Sequence, residues 1–136
     1  MQNEIYWLTL TLLATGLMWV PYVLNLFFVN GIIDPVFKPY KGNFKPLSEW
    51  AQRARAAHYN AVENLVVFAP LVVLCHLYQD KLNIAAVVTA AMIYFFVRVL
   101  HYVVYALGLP GLRTVFFLVG VGVNIFLALQ VLGALA

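Results

Sequence analysis

Residues 53–74 read RARAAHYNAVENLVVFAPLVVL, and this stretch decides the fold. It opens with two arginines and a histidine, passes through two asparagines and a glutamate, and then becomes purely apolar. With its flanking residues it is long enough for a helix that crosses a bilayer. Polar groups at the entrance of such a helix need a physical reason, because each is costly to place in hydrocarbon.

The composition of the whole chain supports a membrane protein. The 136 residues are 65% hydrophobic and only 10% charged, with a mean hydropathy of +0.92, whereas a soluble domain carries about 25% charged residues. The net charge of +3 rests on so few charges that it does not indicate nucleic-acid binding. Cys75 is the only cysteine, so neither an intrachain disulfide nor a cysteine-based metal site is expected.

Four stretches are apolar enough for a helix through a hydrocarbon core of about 30 Å. They cover about residues 5–29, 50–78, 83–107 and 111–135. A closed β-barrel would need alternating apolar and polar residues, which NIAAVVTAAMIYFFV (83–97) does not show. The sequence therefore predicts an all-α membrane protein, with one domain over residues 1–136 built as a bundle of four transmembrane helices.

Basic residues gather at one end of this bundle, which we call the basic end. They lie in or just after the first and third loops: Lys38, Lys41, Lys45, Arg53, Arg55 and Arg113. The second loop is only a tight turn around residues 79–81. The positive-inside rule therefore places the basic end in the cytoplasm and both termini outside it.

Two polar stripes run along the second and third predicted spans. One contains Arg53, Asn60, Glu63 and Asn64 within an arc of about 100°, and the other contains Tyr94, Arg98, His101 and Tyr105 within about 60°. A charge at the centre of a membrane helix costs about 2.5–3.5 kcal/mol, so such groups pair with each other or line a cavity. We expect both stripes to face a polar, cationic cavity that opens at the basic end.

Other interpretations of these residues remain open. Glu63 and Arg98 could form a buried ion pair that only fixes helix packing. Arg55 and His58 lie where lipid headgroups are expected, and His76 lies at the opposite helix end, where a solvated side chain is expected.

The pattern RxxxxHxNxxEN (53–64), together with RVLHYVVYALGLPGLRT (98–114), resembles the membrane-associated proteins in eicosanoid and glutathione metabolism. The resemblance covers nearly the whole chain and is strongest to the small bacterial branch, which implies the inner membrane of a bacterial cell. It also implies a homotrimer with glutathione as the cofactor, bound between subunits near the cytoplasmic side, and a lipid or other hydrophobic small molecule as the second ligand.

The resemblance also implies roles for individual residues. Arg113 matches the family's arginine that stabilises the glutathione thiolate, and Thr114 is expected beside it as a second catalytic group. The residues expected to bind the cofactor are Arg53, Asn60, Glu63, Tyr94, Arg98, His101 and Tyr105. No metal ligand is implied.

The chain also departs from the family pattern. An arginine that the enzymes carry near the cytoplasmic end of the first helix is missing, and only Asn25 and Asn30 are polar there. Ala56 stands where the family often has an arginine, and Phe117 replaces a tyrosine found in some members. These differences concern glutathione chemistry and leave the predicted fold untouched.

These observations are compatible with three candidate functions. The first is a glutathione-dependent transferase or peroxidase that acts on hydrophobic electrophiles. The second is a non-catalytic lipid-binding or scaffold protein on the same fold, which the missing arginine and Phe117 favour. The third, a proton or ion pathway through Glu63, Arg98 and His101, is disfavoured because the far halves of the spans carry few polar groups to continue it.

Overall fold

The computed structural model is all-helical over the residues that it describes, 3–38 and 44–136. The helices in this part of the chain are α1 Glu4–Leu17, α2 Val20–Asn30, α3 Ile33–Phe37, α4 Glu49–Leu77, α5 Ile84–Ala106 and α6 Pro110–Leu135. The α1–α2 segment, α4, α5 and α6 are each long and apolar enough to cross a membrane, which confirms the predicted all-α, four-span class. Lys41 of the basic loop lies outside the described residues.

Helix α5 occupies the centre of the bundle and packs against α1, α4 and α6. The core lies at these contacts and includes Phe68 of α4, Tyr94 of α5 and Leu127 of α6. The rings of Phe68 and Tyr94 are stacked, with centroids 3.6 Å apart and planes 5° apart. Large apolar side chains also cover the outside of the bundle, as expected where helices meet lipid.

The first span, predicted as a helix over about 5–29, covers Glu4–Asn30 and contains a short break that was not predicted. Helix α1 ends at Leu17 and α2 begins at Val20. Pro21 explains the break, because its nitrogen cannot donate to the Leu17 carbonyl and its ring crowds that carbonyl. The hydroxyl of Tyr102 donates to the Met18 carbonyl at 2.9 Å. A side chain of α5 thus satisfies a backbone group at the break, as the membrane interior requires.

The end of the bundle opposite the basic end is closed by a buried carboxylate. Glu4 is 1% exposed, and its Oε1 lies 2.7 Å from Nδ1 of His76. The expectation that His76 is a solvated helix end is therefore wrong: the residue is half-buried and joins α4 to α1. Lys81 strengthens this end by donating to the Ala134 carbonyl at 3.1 Å.

At the basic end, two asparagines of α2 hold the stretch that leads into α4. Asn25 accepts from the Ser48 N–H at 2.9 Å and donates to the Ser48 hydroxyl at 3.0 Å. Asn30 accepts from the Lys45 N–H at 2.7 Å and donates to the Lys45 carbonyl at 3.1 Å. The two polar residues near the end of the first span therefore serve a structural purpose.

Replacing Phe68 by alanine should lower the free energy of unfolding by about 3–5 kcal/mol, because it removes a fully buried ring and the stacking contact of that ring with Tyr94. Phe28→Ala is the matched control, since Phe28 is 87% exposed. Denaturant titration of both variants in mixed micelles checks this. Equal losses of stability would show that the Phe68–Tyr94 contact does not organise the core.

Candidate functional site

Arg98 is the centre of a polar seam between α4, α5 and α6. The residue is 2% exposed, and its Nη2 donates to Oδ1 of Asn60 on α4 at 2.8 Å. Helix α6 faces it at Gly120, where an added Cβ would lie 3.6 Å from Cδ of Arg98, an ordinary van der Waals contact. The arginine side chain therefore packs directly against the backbone of α6.

Several polar atoms of the seam have no hydrogen-bond partner among the described residues. They are Nε and Nη1 of Arg98, Nδ1 of His101, and the Tyr94 hydroxyl and Oδ1 of Asn124, the last two lying side by side without ideal hydrogen-bond geometry. Buried polar atoms are normally satisfied by protein or by ordered water, and each one left unsatisfied costs about 1–3 kcal/mol. The seam therefore has unused capacity to hydrogen-bond water or a polar ligand.

Aromatic rings connect the seam to the basic end. His101 is 2% exposed and its ring lies 5.6 Å from the ring of Tyr105, edge to face. The guanidinium carbon of Arg113 lies 4.5 Å from the centre of the Tyr105 ring. Phe117 covers the other side of His101, with ring centroids 6.4 Å apart. Three predicted site residues, His101, Tyr105 and Arg113, are thus brought into contact, and Arg113 remains partly exposed.

Arg53 reaches the same end of the bundle and joins α4 to the α5–α6 connection. Its Nε donates to the Ala106 carbonyl at 3.0 Å, and its Nη1 lies 3.8 Å from the carboxylate of Glu49. Gly108 has a φ of 76°, a conformation that favours glycine, and an added Cβ there would lie 3.3 Å from the Arg53 guanidinium. Part of the hydrogen-bonding capacity of Arg53 is therefore used by the fold itself.

Thr114 is exposed beside Arg113 in the first turns of α6. Its hydroxyl donates to the Pro110 carbonyl at 3.1 Å. The proton of this hydroxyl is thereby engaged by its own helix. The Tyr105 hydroxyl also lies near Arg113. Unlike the Thr114 hydroxyl, it has no backbone acceptor in the described part of the chain.

Glu63 does not join the seam, although its stripe was expected to face inward. The side chain is exposed on the outside of α4 and makes no hydrogen bond or ion pair to any described residue. Asn60 and Glu63 lie about 60° apart on the helix, so α5 covers one and leaves the other uncovered. The interpretation of Glu63 and Arg98 as a buried ion pair is wrong.

The expected polar cavity open at the basic end is also not seen around Arg98 and His101 in the described part of the chain, because each of them is 2% exposed. A groove of about 590 Å³ instead runs along the outer surface between α4 and α6. Asn64 and Asn124 supply its polar lining among apolar residues. The site therefore consists of a closed polar seam and an open outer face, connected through Asn124.

Several residues that shape this site were not predicted from the sequence to belong to it. Phe68 and Asn124 touch the seam but lie outside both polar stripes. For α6, the sequence signal was the spacing of Gly120 and Asn124, which are four residues apart and therefore share one face of the helix. Phe68 gave none, because one more phenylalanine in an apolar span does not stand out.

Comparison with known proteins identifies one family. The model of the MAPEG family, the membrane-associated proteins in eicosanoid and glutathione metabolism, matches residues 5–133, nearly the whole chain. Searches of the curated proteins and of the solved structures found no match.

Asn60→Ala should lower the free energy of unfolding by about 1.5–3 kcal/mol, because it removes the one described hydrogen-bond partner of the buried Arg98 guanidinium. Asn64→Ala is the matched control one turn later, where the amide bonds only to its own helix, at the Asn60 carbonyl. The same micelle titration measures both. A loss no larger for Asn60→Ala than for Asn64→Ala would contradict the assigned contact.

Proposed function

Since the chain belongs to the MAPEG family and is a multi-pass integral membrane protein, we propose that it binds glutathione and uses it as a transferase or peroxidase on hydrophobic electrophiles. The family includes glutathione transferases and peroxidases. The observation that carries the proposal is the contact of Arg113 with Tyr105 at the open end of a seam that holds Arg98 and Asn60.

The residues present fit glutathione, which carries two carboxylates, one ammonium group, two amides and a thiol. Arg113 is partly exposed and engages only the Tyr105 ring in the described chain, so its guanidinium can bind a carboxylate or thiolate. Glu63 offers an exposed carboxylate for the ammonium group. The unsatisfied nitrogens of Arg98 and the Asn60 amide supply further polar contacts behind them.

Glutathione supplies the thiol nucleophile, so the protein needs no cysteine of its own. Arg113 favours the thiolate form by placing a positive charge beside it. The Tyr105 hydroxyl can donate a hydrogen bond to the same sulfur, whereas the Thr114 proton is held by the Pro110 carbonyl. The buried ring of His101 lies against Tyr105 and limits its orientation, and the partly buried ring of Phe117 packs on His101 behind it.

We further propose that the active assembly is a homotrimer and that a second copy of the chain completes the site. Glu63 lies in the middle of a membrane-spanning helix, yet its carboxylate has no described partner within the chain. Facing lipid, such a group costs about 2.5–3.5 kcal/mol. A neighbouring copy over the outer face of α4 removes that cost and brings Glu63 next to the bound tripeptide.

The charge distribution supports a cytoplasmic position for the basic end. Glutathione would then enter from the cytoplasm, and the electrophile from the surrounding lipid. Both termini would lie outside the cytoplasm.

A non-catalytic scaffold or lipid-binding function is the second candidate. Asn25 and Asn30 are committed to Ser48 and Lys45, so the first span offers no free polar group at the position of the family's arginine. Phe117 packs on His101 and likewise has no hydroxyl to offer.

Arg113→Ala should reduce glutathione conjugation of a model electrophile by about tenfold or more, because the thiolate loses its neighbouring cation. Lys38→Ala is the control, since it removes an equal charge from the same end at an exposed ion pair with Asp34. Activity is measured on purified protein in lipid nanodiscs. Equal activities of the two variants would contradict the role of Arg113.

Thermal melting with glutathione separates the two candidate functions. Ligand at 100 times its dissociation constant adds about 2.7 kcal/mol of stability, so the enzyme should melt at a visibly higher temperature with glutathione. If glutathione neither raises the melting temperature of the wild-type protein nor is conjugated by it, the transferase or peroxidase function is excluded and the scaffold function is favoured.

A further inference from the structure

A second cavity lies at the basic end, apart from the seam. It has a volume of about 470 Å³ and is enclosed by α2, α3, the stretch 44–47 and α4. Its apolar walls are Val23, Leu26, Pro35, Phe44, Pro46 and Leu47. The polar lining comes from Tyr22, Lys45, Arg55 and Tyr59. No acidic side chain is among the described residues that line it, so the cavity is cationic on one side and apolar on the others.

The fold positions the Arg55 guanidinium and the backbone of Lys45. The guanidinium carbon of Arg55 lies 5.5 Å from the centre of the Tyr59 ring. The backbone of Lys45 is fixed on both sides by Asn30, at 2.7 and 3.1 Å. Arg55 lies about 9 Å along α4 from Glu49 at 1.5 Å per residue. This depth is one that an arginine side chain reaches while its charged group stays at the membrane surface.

A hydrogen bond between Tyr22 and His58 defines the deep edge of the cavity. The Tyr22 hydroxyl lies 2.9 Å from Nδ1 of His58, and the two rings are 5.8 Å apart. This pair ties α2 to α4 next to Tyr22, which lines the cavity. The walls are therefore supported from two helices and do not depend on the loop alone.

The neighbouring corner between α2 and α3 exposes a group of large apolar side chains. Phe28 is 87% exposed, Phe37 80% and Ile33 72%. Side chains of this size gathered at one place on the surface indicate contact with lipid. Since Pro35 of α3 also lines the cavity, the cavity lies beside the part of the molecule that dips into the bilayer surface.

We propose that this cavity binds the phosphate headgroup of an anionic phospholipid. Arg55 and Lys45 hold the phosphate, and the apolar walls receive the glycerol and the first carbons of the chains. Basic pockets between membrane helices at the cytoplasmic side are suited to such headgroups. The apolar walls favour a lipid over free inorganic phosphate, which has nothing to place against them. This site is independent of glutathione and of the seam.

The test is native mass spectrometry of the purified full chain titrated with phosphatidylglycerol or with phosphatidylcholine of the same acyl chains. Wild-type protein should retain phosphatidylglycerol at least about fivefold more tightly, and millimolar inorganic phosphate should not displace it. Equal retention of the two lipids would overturn the proposal without recourse to any variant. Displacement by phosphate alone would overturn the assignment to a lipid.

Arg55→Gln and Lys45→Gln should each remove most of this preference. Lys38→Gln is the matched control, because Lys38 lies at the same end, pairs with Asp34 at 2.8 Å and does not line the cavity. Thermal melting in detergent verifies that each variant is folded. An equal loss in Lys38→Gln would show general attraction to a basic surface and would contradict a defined site.

Discussion

The structure depends on one guanidinium buried within a membrane-spanning bundle. Arg98 is 2% exposed and bonds to a single described side chain, Asn60. A charge in that position is costly unless its surroundings supply hydrogen bonds. Gly120 of α6 packs against the side chain and α4 provides the amide, so the contacts of α5 with both neighbours are arranged around the same group. The nitrogens of Arg98 that bond no described residue leave the seam able to form further hydrogen bonds.

Helix α4 separates the interior of the chain from its outer polar face. Asn60 turns inward to Arg98, whereas Glu63, less than one turn later, is exposed within the span. The exposed Glu63 carboxylate is costly in lipid unless a further partner covers it from the outside. The proposed assembly of several copies resolves this, because it covers Glu63 and encloses the ligand with the same contact. The proposed headgroup cavity involves a different part of α4, around Arg55, and is lined by residues of one chain.

The sequence predicted the four-span helical class because apolar runs of membrane length are a strong and local signal. It also predicted the gathering of His101, Tyr105 and Arg113, since helical spacing and a short connection bring them to one end. The break before Pro21 was missed, because a proline does not always interrupt a membrane helix. The direction of Glu63 was also missed. A helical arc of about 100° can straddle the edge of a contact, and only the packing of α5 on α4 decides which residues it covers. Phe68 and Asn124 depend on contacts between distant parts of the chain, which no local pattern encodes.

The most direct test of this account is a cryo-electron microscopy map of the protein in lipid nanodiscs with glutathione, at a resolution that shows side chains. The account predicts that a second copy of the chain covers Glu63 and that density for the tripeptide lies between it and Arg113. A single chain with the Glu63 carboxylate against acyl chains, and no density beside Arg113, would contradict it.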